Sequence, residues 1–138
     1  MSEAFNWNNY VGIRYAHRGR NLTTDGGLDC YGLVRHWYDQ EFNILLPEWY
    51  VLNSDIKPSE IEESLESNQI YNQNPLVETD TPSTGDVILL RILGHPVHVG
   101  IYIDQTYFLH TRCAASMSEI ARMDKWRNKI DAYYTINN

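Results

Sequence analysis

Residues 28–42 read LDCYGLVRHWYDQEF, and their large apolar side chains recur at steps of three and four. That spacing indicates an α-helix with one buried face. The preceding residues, Gly26 and Gly27, are typical of a loop, and Asp29 is a natural N-cap. The sequence therefore predicts a helix with Cys30 in its first turn.

From residue 86 onward the pattern changes to short apolar runs of the kind that form strands. We predict strands at residues 87–90, 97–103, 106–110 and 130–136. Because these segments are consecutive and closely spaced, they are expected to pair as an antiparallel meander. A helix followed by a run of strands predicts an α+β fold.

The segment between the helix and the strands, residues 43–85, is acidic and interrupted by four prolines. It is predicted to be mostly loop, since proline restricts the backbone and removes a hydrogen-bond donor. One short helix is expected to begin near Ser59, because Ser59 and Glu62 have the spacing of a capping box.

Length and charge limit the class of protein. The 138 residues have the length of one domain, so we expect residues 1–138 to fold as a single unit. A formal net charge of −7 argues against a nucleic-acid partner, which would need clustered Lys and Arg. The first twenty residues do not resemble a secretory signal, and no apolar stretch could span a bilayer. We therefore expect no membrane insertion, and delivery to any extracellular substrate by another machine.

Cys30 is the first candidate for chemistry. Backbone N–H groups and the positive end of the helix dipole stabilise negative charge in the first turn of a helix. The dipole supplies up to about 2 kcal/mol, which lowers the pKa of a thiol from near 8.5 to about 7. We therefore expect Cys30 to become a thiolate with the help of a nearby imidazole.

His98 is the best candidate for that imidazole, because it lies on the predicted strand at residues 97–103. Gly100 shares its face of the strand and is expected to leave room for the helix to approach closely. His110, on the next strand, is expected to bind the other ring nitrogen of His98. The two histidines lie twelve positions apart, which is an even separation, so they share a face only across an odd-length turn or a bulge. We predict a three- or five-residue turn centred on residue 104 or 105.

Four short segments then resemble one family. LDCYGLV at residues 28–34 resembles the nucleophile motif of NlpC-type cysteine peptidases, although a serine more often follows their cysteine. HVGIY at 98–102 resembles their histidine strand, GDVI at 85–88 resembles the strand before it, and LHT at 109–111 resembles the position of their third catalytic residue. The resemblance implies a papain-like fold and hydrolysis of peptidoglycan stem peptides, commonly between γ-D-glutamate and a diamino acid. We expect neither a cofactor nor a metal.

The residues that we expect to be catalytic are Cys30, His98 and His110. Those expected to support the substrate or the oxyanion are Tyr15, Asp29 and Tyr31. Tyr15 corresponds to a tyrosine that the family often carries in a Tyr-x-x-Gly-Gly stretch. In this sequence the tyrosine is followed by a single glycine, Gly19, rather than by a pair, and residues 20–26 look like an insertion.

Two N-terminal segments are most similar to family members encoded among phage tail genes. They are YVGI at residues 10–13 and YAHRGR at residues 15–20. This resemblance implies partners among phage tail or baseplate proteins. It also implies a protein made in the bacterial cytoplasm and incorporated in a virion tail.

Two alternatives stay open at this point. The chain could be a structural tail or baseplate hub that uses the peptidase fold for assembly. Cys30, His98 and His110 could also bind zinc, since all three are good zinc ligands. A disulfide between Cys30 and Cys113 is not expected, because the sequence gives no sign of an oxidising compartment.

Overall fold

The helix that carries Cys30 forms as predicted in the computed structural model, which describes residues 5–46, 76–112 and 116–136. A short helix α1 (Leu22–Asp25) precedes it, and α2 extends over Cys30–Phe42. The Asp29 side chain accepts a 2.7 Å hydrogen bond from the Gly32 N–H, which confirms the predicted N-cap. The helix expected near Ser59 lies outside the described residues.

In the part of the chain that the structure describes, six antiparallel strands form one sheet. They are β1 (Leu76–Thr79), β2 (Val87–Ile92), β3 (His95–Tyr102), β4 (Tyr107–His110), β5 (Glu119–Arg122) and β6 (Ile130–Ile136). The four predicted strands are confirmed. The prediction of loop for all of residues 43–85 outside the short helix is wrong at β1, and β5 was not predicted.

The strand order is β1-β6-β2-β3-β4-β5, so only β2 to β5 follow one another as a meander. The predicted meander is wrong for β6, which pairs with β1 and β2. The connection from β5 to β6 contains two 3₁₀ turns, Met123–Lys125 and Arg127–Lys129. Met123 and Trp126 in this connection are buried against the sheet, which explains why the chain crosses it.

The turn between β3 and β4 has an odd length, as predicted. Ile101 pairs with Leu109 and Tyr102 with Phe108, so five residues centred on Gln105 separate the last pair. The Asp104 carboxylate accepts hydrogen bonds from the N–H groups of residues 106 and 107, which closes the turn. This register puts His110 on the same face of the sheet as His98.

The two faces of the sheet have different apolar cores. One face packs against α2, and its buried members include Val87, Leu89, Val99, Ile101 and Leu109. The opposite face packs against Met123 and Trp126, and its buried members include Ile88, Leu90, Tyr102 and Phe108. His98 pairs with Leu90 and therefore belongs to the face opposite α2.

Trp37 anchors α2 in the first core. Its side chain is fully buried and stacks on Trp7 with ring centroids 5.3 Å apart. Trp37→Ala is expected to lower the free energy of unfolding by about 3–5 kcal/mol, because it removes a large buried side chain and leaves a cavity. Phe42→Ala on the same helix is the control, since Phe42 is 45% exposed and should cost about 1 kcal/mol. Urea unfolding measures both, and equal losses would contradict this account of the core.

Candidate active site

Close backbone packing fixes the start of α2. The Asp29 N–H donates to the Gly19 carbonyl oxygen at 3.1 Å, which ties the N-terminal segment to the residue before Cys30. A side-chain carbon on Gly32 would overlap that same carbonyl, so only glycine allows the approach. Cys30 is therefore held by rigid backbone on both sides.

The Cys30 sulfur lies at the open edge of β3. Tyr102 donates its N–H to Asp86, so even-numbered N–H groups of β3 point toward β2 and odd-numbered ones point toward β4. Strand β4 pairs with β3 at Tyr102 and Ile101. The next odd-numbered N–H of β3 toward the N-terminus, that of Val99, donates to the Cys30 sulfur instead. Cys30 thus meets the strand beside His98, at its edge rather than across its face.

Burial makes the thiol a weak acid in this state. Cys30 is 8% exposed, and burial, followed by the nearby Asp29 carboxylate, raises the pKa of its thiol to about 12. The N–H groups of Val99 and Tyr31 and the Arg20 guanidinium oppose this rise. The prediction of a lowered thiol pKa is therefore wrong, because desolvation outweighs the helix terminus. The thiol is neutral at neutral pH.

His98 and His110 are joined by a hydrogen bond. The Nε2 atom of His98 lies 2.8 Å from Nδ1 of His110, and both side chains are buried. Gly100 makes this possible, since an added Cβ would lie 2.9 Å from the Leu109 carbonyl oxygen and 3.3 Å from the Cβ of His110. The space at Gly100 therefore admits strand β4, which corrects the expectation that it admits the helix.

Two residues at this site were missed from the sequence. The Glu119 carboxylate lies 2.9 Å from Nε2 of His110. The Trp126 ring lies with its centroid 5.7 Å from that of His98 and 5.2 Å from that of His110, so it covers both imidazoles. No local pattern of residues indicates either contact, because one depends on the register of β5 and the other on the crossing connection.

The buried environment keeps both imidazoles neutral. Burial lowers the pKa of His98 well below its usual value, and His110 and Arg112 lower it further. Burial also lowers the pKa of His110, although Glu119 opposes this shift. The resting site thus has a neutral thiol at the Val99 N–H and a pair of neutral imidazoles that begins at the neighbouring residue His98.

The chain combines a cysteine at the start of a helix with a strand that carries a histidine, and most of its length also matches one protein family. Residues 12–134 match the NlpC/P60 family. The chain belongs to the NlpC/P60 family. It is also 27% identical over 108 residues to "Murein DD-endopeptidase MepS/Murein LD-carboxypeptidase" of Escherichia coli K12, covering 78% of this chain and 47% of that protein. The chain thus spans about half the length of the curated relatives that it matches.

Solved structures of NlpC/P60 proteins share the fold. The NlpC/p60 domain of the peptidoglycan hydrolase SagA superposes with a TM-score of 0.62 at 17% identity, covering 94% of this chain and 92% of that one. The peptidoglycan hydrolase RipB of Mycobacterium tuberculosis gives a TM-score of 0.60 at 20% identity, covering 95% of this chain and 61% of that one. At such identities the likeness concerns the fold, and it confirms the predicted papain-like α+β class.

The three predicted support residues of this NlpC/P60 domain lie near Cys30 in different ways. The Asp29 carboxylate caps α2 and pairs with the Arg20 guanidinium. The Tyr31 side chain is fully buried, with the Arg20 guanidinium 5.5 Å from its ring centroid, and its backbone N–H binds the Cys30 sulfur. Tyr15 is half-buried, and its backbone forms a parallel bridge with Leu28, two residues before Cys30.

Other expectations can be compared with the described residues alone. Within residues 5–46, 76–112 and 116–136, no three His, Cys, Asp or Glu side chains are grouped to hold a metal ion, so nothing there supports the zinc alternative. Cys30 carries a free thiol, and Cys113 lies outside the described residues. In the same part of the chain, no helix has the length and apolar character needed to cross a membrane.

Proposed function

We propose that this chain is a cysteine peptidase that hydrolyses peptidoglycan stem peptides, with Cys30 as nucleophile and His98 as general base. The observation that carries this proposal is the hydrogen bond from the Val99 N–H to the Cys30 sulfur, which puts the sulfur at the residue next to His98 on β3. His98 in turn contacts His110. Membership of the NlpC/P60 family supports the choice of a cell-wall substrate.

The neutral resting site defines the first step. His98 removes the proton of the Cys30 thiol as the sulfur attacks the peptide carbonyl, so the thiolate forms only when it reacts. The N–H groups in the first turn of α2 stabilise the oxyanion, because they are aligned with the helix dipole. The protonated His98 then donates to the leaving amine, and in the second half-reaction it activates a water that releases the acyl group.

The bond that we propose is the one between γ-D-glutamate and the diamino acid, on the basis of the family resemblance. The relative MepS is named for cleavage of two other bonds, as a murein DD-endopeptidase and a murein LD-carboxypeptidase. Digestion of purified sacculi followed by mass spectrometry separates these possibilities. We expect fragments that begin with a free diamino acid amine. Fragments cut only at a D-alanyl bond would refute the proposed specificity, and no release beyond a heat-denatured control would refute the peptidase.

Delivery by a phage tail or tail-like particle is a further part of the proposal. It is supported by the similarity of residues 10–13 and 15–20 to phage-tail members of the family. In this account the protein is made in the bacterial cytoplasm and assembles with tail or baseplate proteins. A purely structural hub role is disfavoured, because it would not need the thiol beside the histidine strand. Peptide mass spectrometry of purified particles should detect this chain, and particles that lack it would refute the delivery route.

The pH dependence of kcat/KM follows from the lowered pKa of His98. An imidazole whose pKa is lowered stays neutral, and therefore basic, to lower pH than an ordinary histidine. Activity should be lost only as the pH falls through that lowered pKa, so the acid limb should have its midpoint below pH 6.5. A midpoint at or above pH 6.5, measured with a soluble stem peptide, would contradict a buried neutral base.

A further inference from the structure

Glu119 connects the buried histidine pair to the protein surface. It is the first residue of β5 and lies opposite His110 in the β4–β5 register. Its Oε2 atom is 2.9 Å from Nε2 of His110, while its side chain is 57% exposed. The His110 side chain is wholly buried. His98, His110 and Glu119 thus form a hydrogen-bonded series that ends in a carboxylate at the sheet edge, and it begins at the residue next to Val99, whose N–H binds the Cys30 sulfur.

We propose that Glu119 is a positioning residue that selects the tautomer in which His98 can act as a base. This inference rests on the proposed function, because it concerns the same site. A carboxylate only accepts hydrogen bonds, so His110 must carry its proton on Nε2. In the neutral ring Nδ1 is then an acceptor, and His98 must donate to it from its own Nε2. The remaining nitrogen of His98, Nδ1, keeps its lone pair.

Without Glu119 the histidine pair would be ambiguous. The 2.8 Å contact between His98 and His110 is equally satisfied when His110 donates from Nδ1 and His98 accepts with Nε2. In that arrangement the proton of His98 sits on Nδ1, and the ring has no free nitrogen for the thiol. The carboxylate removes this second arrangement, because it would face a lone pair on His110 Nε2.

The negative charge of Glu119 also favours His98 as a base, because it stabilises the positive charge that forms on the histidine pair. When His98 takes the thiol proton, the new positive charge lies in a buried pair that Arg112 already disfavours. Glu119 is the anion that contacts this pair through His110. Lys129 and Arg112 both lie against Trp126, the ring that covers the two imidazoles, at 5.0 and 5.7 Å from its centroid. The Arg112 guanidinium therefore makes a nearby carboxylate more important for the charged intermediate.

The test uses Glu119→Ala and Glu119→Gln in the full chain. The matched control is Glu78→Gln, because Glu78 is an exposed carboxylate on β1, the strand at the opposite edge of the same sheet. We expect Glu119→Ala to lower kcat on a stem peptide about 10- to 100-fold with little change in KM, as loss of an outer hydrogen-bond partner does. Glu119→Gln should fall between it and the wild type, since an amide oxygen still accepts but can rotate to present a donor.

A second readout needs no substrate. Long-range ¹H–¹⁵N spectra of the imidazole rings report which nitrogen carries the proton. We expect His98 and His110 to be protonated on Nε2 in the wild type and in Glu78→Gln, and to show mixed tautomers in Glu119→Ala. A proton on Nδ1 of wild-type His98, or unchanged tautomers in Glu119→Ala, would overturn the inference. If the wild type shows the expected tautomers but cleaves no stem peptide, the peptidase proposal is refuted, whereas the role of Glu119 in selecting the tautomer is retained.

Discussion

Cys30→Ala is expected to abolish peptidoglycan cleavage, with kcat/KM reduced by at least about 10⁴-fold. The nucleophile and its base act as a unit, so removing the sulfur removes nearly all of their joint contribution. The fold should survive, because the side chain is small and α2 is capped by Asp29 rather than by Cys30. The expected loss in unfolding free energy is about 1 kcal/mol. Release of muropeptides from sacculi, together with urea unfolding, measures the two effects separately.

The matched control is Cys113→Ala, which removes the other cysteine of the chain. It should keep the full rate of cleavage, because we assign it no part in the reaction. Wild-type activity in Cys30→Ala would contradict the assignment of the nucleophile. Loss of activity in Cys113→Ala alone would move that assignment to the second cysteine.

His98→Gln is expected to lower kcat/KM by about 10²- to 10⁴-fold, the usual contribution of a general base. Glutamine keeps hydrogen-bonding groups near His110 but has no nitrogen able to take the thiol proton. The loss in kcat/KM should be large because burial raises the pKa of the Cys30 thiol to about 12, so the thiol needs a base to lose its proton. At neutral pH almost no thiolate forms without assistance.

The control for this substitution is His95→Gln. His95 lies on the same strand β3, but its side chain is exposed at the hairpin next to Ile92. Its replacement should leave kcat/KM within about twofold of the wild type, as surface substitutions usually do. Equal losses in the two variants would show that His98 has no special role.

The local parts of the fold could be predicted because they depend on neighbouring residues. The apolar spacing of residues 28–42 predicts α2, and Asp29 predicts its start. The separation of His98 and His110 predicts the odd turn around Gln105. The position of β6 could not be predicted in this way, because it depends on how Trp126 packs on the sheet rather than on any local pattern.

The site was predictable in its residue types and less so in its physical state. Cys30, His98 and His110 stand in recognisable motifs, whereas Glu119 reaches His110 only through strand pairing. The expected acidic thiol failed for a related reason. Desolvation depends on everything packed around the sulfur, and the sequence around Cys30 shows only the helix terminus.

The most direct test of the central claim is alkylation of Cys30 in a Cys113→Ser chain. Samples taken during treatment with iodoacetamide are assayed on sacculi, and peptide mapping gives the fraction of Cys30 that carries the label. We predict that activity falls in proportion to that fraction and reaches zero when labelling is complete. A fully labelled chain that still releases muropeptides would contradict the claim that this sulfur performs the reaction.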